Sequence, residues 1–138
     1  MPLDAKIVAA AHAAYCRGDG GSLLGLLSDE VYDNVSRQAG KQIWTVVLNW
    51  MKESFGDVSV EVNMSAADGD RVMIWLTVTG THIGSSFPWM RGRPASGRAV
   101  TWRQVHIYRV TATQAVEHWA VRDDLRVLEA IDGPAGNG

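Results

Sequence analysis

The sequence predicts an α+β fold, and three observations carry that reading. Helical patterning fills most of the first 55 residues, and the apolar period changes from 3.6 to 2 at Gly56 and Asp57. Strand-like segments then follow one another with only turns or one loop between them. Helices first and strands afterwards argue for segregated layers with an antiparallel meander. A strongly curved sheet wrapped around a long helix leaves a concave apolar pocket, which suits a small organic molecule.

Good helix formers occupy residues 4–17, with Ile7, Val8, Ala11 and Tyr15 at helical spacing. The Gly-Asp-Gly-Gly run at 18–21 follows a helix rather than a strand, so it reads as a helix stop and not as a phosphate loop. Ser22 stands where an N-cap would precede a short second helix with Leu23, Leu24, Leu26 and Leu27. After a polar stretch, residues 42–55 predict a third helix. Its apolar residues, from Ile43 and Trp44 through Trp50 to Phe55, cover more than one stripe and predict cover on most sides.

Val58, Val60 and Val62 then alternate with polar residues, and Asp68-Gly69 marks a hairpin turn into a strand over 71–81. A loop rich in Gly, Ser, Pro and Arg spans 82–97. Strands over 99–110 and 115–121 follow, joined by a polar turn at 111–114. Asp123 or Asp124 is placed to cap a last helix reaching Ile131. The chain therefore reads as one domain over 1–138, with an ordered core of 4–131 and a loose tail of 132–138.

The bulk properties narrow the function. The 138 residues (15.0 kDa) are 46% hydrophobic and 20% charged, enough for one packed core without staples. A net charge of -2 and a pI near 6.0 argue against nucleic acid as the main partner. One cysteine, Cys16, allows no internal disulfide, which suits a reducing cytoplasm. No segment resembles a targeting leader, and no apolar run approaches the roughly 18 residues of a membrane span. Metal-ligand spacing and a nucleophile elbow are both missing, so neither a metal nor a cofactor is expected.

Strand parity sorts the candidate site residues. Trp102, Gln104, His106 and Tyr108 share one face, opposite Arg103, Val105, Ile107 and Arg109. His118 and Ala120 share a face in the last strand, as do Met73, Trp75, Thr77 and Thr79 in the 71–81 strand. Arginines face water cheaply, while aromatics beside histidine look like a cavity wall, so the His106 face is expected to point inward. The expected pocket is walled by Trp75, Trp102, His106, Tyr108 and His118, roofed by the helix carrying Trp50, and gated by the loop with Phe87 and Trp89. A lone strand histidine is more often structural than catalytic, so parity alone assigns no chemistry. Arg91, Arg93, Arg98 and Arg103 read as a solvated cluster or as a clamp for a carboxylate or phosphate. Cys16 reads as buried and inert.

Several segments together resemble the SnoaL-like polyketide cyclase family. They are Arg-Gln-Val-His-Ile-Tyr-Arg-Val at 103–110, Val-Glu-His-Trp at 116–119, and Asp123 with Leu125. The Gly-Thr-His-Ile-Gly run at 80–84, the helix end at 50–55 and the early helix with Tyr15 also fit, so the likeness covers about residues 4–131. It implies the cone of the nuclear-transport-factor-2-like superfamily, a curved antiparallel sheet around a long N-terminal helix, commonly as a homo-oligomer (dimer or tetramer). It also implies cofactor-free, aldol-type cyclisation or isomerisation of a hydrophobic polyketide or related secondary metabolite, as in antibiotic biosynthesis. His106 matches the family's pocket histidine, with His118, Tyr15 and Asp123 as assisting acid/base candidates. Trp75, Trp102, Tyr108, Trp50, Phe87 and Trp89 are the expected substrate contacts.

One departure stands out. The family's catalytic carboxylate lies fourteen residues after that histidine, and here the position is Ala120. Three readings follow: a cyclase or isomerase working through His106, a hydroxylation-linked protein with a redox partner, or a binding subunit without catalysis.

Overall fold

The computed structural model describes residues 1–133. Its elements are α1 (Ala5–Cys16), α2 (Gly21–Leu26), β1 (Leu27–Asp33), β2 (Gln38–Ala39), α3 (Gln42–Ser54), β3 (Phe55–Asp68), β4 (Arg71–His82), β5 (Ala99–Val110), β6 (Ala115–Arg122) and α4 (Asp124–Asp132). One open, curved sheet holds all six strands in the order β2-β1-β6-β5-β4-β3. Every pairing is antiparallel except β1 with β6. The fold class is therefore the expected α+β. No helix among the described residues is long and apolar enough to cross a membrane.

Local chemistry explains most element ends. The Asp4 side chain accepts from the backbone N–H of Lys6 at 2.7 Å, capping α1. Gly18 stops that helix at φ +97, a left-handed conformation that costs glycine little. The expected Ser22 cap is corrected: the N-cap is Gly20, two residues earlier, and it makes no side-chain cap. A Cβ on Gly20 would come within 2.7 Å of Leu48 Cδ2 of α3, so that side chain would have to shift. Asp123 likewise flanks α4 without capping it. Asp132, expected in the tail, is helical; residues 134–138 lie outside the described residues.

The β3–β4 hairpin turns at Gly69 as predicted, but β3 is longer than expected, starting at Phe55. Register shifts between Gly56 and Ser59 and between Val62 and Met64 mark bulges, which bend and twist a strand. β1, taken for part of a polar stretch in the sequence, is the larger surprise.

α1 is the N-terminal helix inside the curved sheet, as expected, whereas α3 is less covered than its apolar pattern predicts. α1 is buried at seven of its twelve residues, and the sheet covers it, although Ile7 is 54% exposed. α3 is buried only at Trp44, Leu48, Met51 and Ser54. Its surplus apolar residues, Ile43, Val47 and Trp50, face a cavity instead of a second packed layer. The apolar stripe looked too wide for a surface helix because one part of it lines a hole.

Candidate functional site

The cavity holds about 350 Å³, at the lower end of small-molecule sites. α1 contributes His12 and Tyr15; β6 contributes His118, Ala120 and Arg122; β5 contributes His106. Asp33 ends β1, and α3 supplies the apolar wall with Ile43, Val47 and Trp50. Register makes these residues neighbours. His106 stands opposite Ala120 and Tyr108 opposite His118, while the parallel β1–β6 pairing sets Asp33 beside His118.

An unbroken polar chain runs along the wall. Gln104 Oε1 lies 2.8 Å from His106 Nε2, His106 Nδ1 lies 2.9 Å from His118 Nε2, and His118 Nδ1 lies 2.8 Å from Asp33 Oδ1. The far carboxylate oxygen of Asp33 accepts from Ser36 Oγ at 2.6 Å and from Ser36 N at 3.0 Å. Proton counting is informative here. With Gln104 Oε1 accepting, the three contacts require three ring protons, and two neutral imidazoles carry only two. The third proton therefore belongs to the pair of His118 and Asp33. Turning the Gln104 amide over would let it donate instead, and the same chain would then need one proton fewer. The network can gain or lose a proton with almost no movement of heavy atoms.

A second arm ends in the cavity. His12 Nδ1 lies 2.8 Å from the Tyr108 hydroxyl. Burial keeps the Tyr108 hydroxyl protonated, so it can donate its hydrogen to that nitrogen. With Nδ1 accepting, the His12 proton lies on Nε2. That nitrogen has no partner among the described residues and is not sealed in the core, so it presents an N–H to the cavity.

Burial sets the protonation states. It lowers His12 to about 3, helped by the charges of His118 and Arg122. Burial also pushes His106 well below the ordinary histidine value, reinforced by His12, His118 and Arg122. Asp33 feels burial in the opposite sense, but hydrogen bonds from His118 and Ser36 outweigh it and hold the carboxyl at about 2. Both buried phenols, Tyr15 and Tyr108, are raised and stay protonated. Burial raises Cys16 to about 12, consistent with an inert thiol.

The structure brings some predicted residues together and separates others. His106, His118, Tyr15 and Trp50 line the cavity. Tyr108 is behind the wall and acts through His12. Tyr15 gives its hydroxyl hydrogen to the Trp44 carbonyl at 2.5 Å, tying α1 to α3, so its proton is committed. Asp123 is a correction: it borders a shallow outer depression with Trp75, away from the histidines. Trp75 is another, being 42% exposed on the outer face. In β4 the inward set is Val72, Ile74, Leu76 and Val78, which pair with Tyr108, His106, Gln104 and Trp102.

The expected gate is also corrected. Phe87 is buried and meets Trp102 edge-on at 5.4 Å, with Trp50 5.5 Å away on another side. Trp89 packs on Trp102 at 5.5 Å. Phe87, Trp89 and Trp102 therefore form a packed aromatic block behind Trp50, outside the cavity lining. Buried His82 fastens this loop by bonds to Ser96 Oγ (2.8 Å) and Ser85 Oγ (2.9 Å). The arginine cluster disperses: Arg93 is bidentate to Asp132, Arg98 lies beside Gly133, and Arg103 is on the outer face.

Sequence reasoning missed His12, Asp33 and Arg122. His12 had a readable signal, since it sits four residues from both Val8 and Cys16 on the buried face of α1. Among the described residues no cluster of His, Cys, Asp or Glu is arranged to hold a metal ion.

Fold and cavity together define a small-molecule protein of the nuclear-transport-factor-2-like kind. The SnoaL-like polyketide cyclase family model matches residues 5–131, and the chain belongs to that family. Among solved structures, it is similar to AclR from Streptomyces galilaeus, for which hydroxylase activity is proposed. Identity is 27%, covering 94% of this chain and 97% of that one, with a TM-score of 0.76. TsrD from Streptomyces laurentii is 24% identical over 94% and 97% of the two chains, with a TM-score of 0.75. IdmH from Streptomyces antibioticus, proposed to be a polyketide cyclase, is 22% identical over 95% and 100%, also with a TM-score of 0.75. No curated protein matches the chain.

Proposed function

We propose that this protein catalyses cofactor-free acid/base chemistry, an aldol-type cyclisation or isomerisation, on a hydrophobic polyketide or related secondary metabolite. The observation that carries the reading is the Asp33–His118–His106–Gln104 chain along a mainly apolar cavity. Such a reaction needs a base for an acidic C–H, a donor for the oxygen on which charge develops, and little water.

The residues divide those tasks. His106 moves the proton, exchanging its Gln104 contact for the substrate, and His118 with Asp33 relays or replaces that proton. Neutral His12 offers Nε2–H to the enolate oxygen, a role in which an uncharged imidazole is effective. Asp33 thus supplies from β1 the carboxylate that Ala120 cannot supply from β6. A homo-oligomer in the cytoplasm belongs to the same proposal, and light scattering reads its mass.

A second reading is favoured by one observation: a chain lacking the Ala120 carboxylate is 27% identical to a protein with proposed hydroxylase activity. One experiment separates the readings. Polycyclic ketone esters with an acidic C–H are incubated with the protein, and mass and NMR spectra are followed. Cyclisation gives an isomer or loses water, hydroxylation adds one oxygen, and a binding subunit leaves the compound unchanged. An unchanged compound across such a panel contradicts the proposed catalysis.

A further inference from the structure

We infer that the cavity takes an anionic ligand, with Arg122 receiving a carboxylate on an otherwise apolar molecule. The inference rests on the proposed small-molecule site and narrows its substrate class to free acids over esters. Arg122 ends β6, two residues after Ala120 and four after His118, on the cavity-facing parity of that strand. It is the only arginine or lysine in the cavity lining.

Its surroundings leave it short of partners. The side chain is only 22% exposed, yet it forms no hydrogen bond with any described residue. The nearest carboxylate oxygen, Asp124 Oδ1, is 3.9 Å from Nε, and it already accepts from Trp102 Nε1 at 3.0 Å. The guanidinium lies 5.7 Å from the Trp102 ring, which holds its plane without using its N–H groups. A partly buried guanidinium with unused donors is costly unless an acceptor arrives, and its fork matches a carboxylate through two parallel bonds.

Charge balance points the same way. Asp33 is the only carboxylate in the lining, and it is consumed by His118, Ser36 and the Val35 N–H. Ala120 places a methyl group where an aspartate would have countered Arg122. With Asp33 committed to those four donors, Arg122 is the cation of the lining, and its one carboxylate neighbour, Asp124, lies 3.9 Å away and outside that lining. An anion would neutralise Arg122, and the wall of Ile43, Val47 and Trp50 would cover the apolar body of the ligand.

The test compares anthraquinone-2-carboxylate with its methyl ester by calorimetric titration. The wild type should bind the acid about tenfold or more tightly than the ester, an advantage that high salt reduces. Arg122→Gln should abolish the preference and leave ester binding unchanged, while Arg122→Lys should keep part of it. Circular dichroism checks that the variants fold; if Arg122→Gln does not, Arg122→Lys and the salt series decide. Equal affinities, a preference that survives Arg122→Gln, or no binding of either compound would overturn the inference. Acid preference without turnover would sink the proposed catalysis alone, and turnover without acid preference would sink this inference alone.

Discussion

At the residue scale, the proposed mechanism puts a chain of shared protons in place of a carboxylate at position 120. Ala120 cannot hold a proton, and His106 is too deeply buried to be a strong base by itself. What makes His106 usable is the line behind it, His118 and then an Asp33 kept ionised by four hydrogen bonds. Asp33→Asn should therefore lower kcat by at least about tenfold, because the amide cannot take up and return a proton along the relay. Binding of the anthraquinone acid should stay within about twofold. An unchanged kcat would mean that Asp33 is only structural. Parity alone made His106, Gln104, Tyr108, His118 and Ala120 legible as one face. It failed at Trp75, where an aromatic drew more weight than the four aliphatics at 72, 74, 76 and 78 on the opposite parity.

At the scale of elements, the lesson lies in what each helix and loop covers. Helical periodicity announced α1 and α3 but not which of them is central. That depends on the sheet, which packs α1 against β3 and β4 and leaves part of α3 facing the cavity. β1 was invisible because its partner, β6, lies about 85 residues away in sequence, and parallel pairing leaves no turn to read. The 82–97 segment reads as a Gly-, Ser-, Pro- and Arg-rich loop, yet Phe87 and Met90 are core residues. Trp89 Nε1 is the only buried side-chain polar atom without a partner among the described residues. Leaving such a donor unsatisfied costs about 1–3 kcal/mol. Trp89→Phe should thus stay within about 1 kcal/mol of wild type in urea unfolding, the lost bulk offset by the removed N–H. Phe87→Ala should cost about 3–5 kcal/mol. A Trp89→Phe loss as large as that of Phe87→Ala would contradict the packing described.

At the scale of the whole molecule, an interior that holds neutral histidines makes stability depend on pH. His12 and His106 have lowered values in the folded state, so below about 6.5 the unfolded chain binds more protons than the folded one. Stability should fall as pH drops through that value, and for His12 the loss continues to about 3. Asp33 adds a further loss between the usual 3.8 and about 2. In urea unfolding at pH 4.5 against pH 7.5, His12 alone should account for a deficit on the order of 3 kcal/mol, which His12→Gln should remove. Stability that is level or rises on acidification would contradict the buried neutral histidines.

The central claim is that His106 transfers a proton to or from a bound metabolite. The most direct measurement is kcat for His106→Ala beside wild type, on a polycyclic substrate that the wild type converts. Melting temperature and the affinity for anthraquinone-2-carboxylate are followed in parallel. The account predicts a fall of about a hundredfold or more in kcat with fold and binding retained. A folded, ligand-binding His106→Ala protein that turns over at the wild-type rate would contradict it.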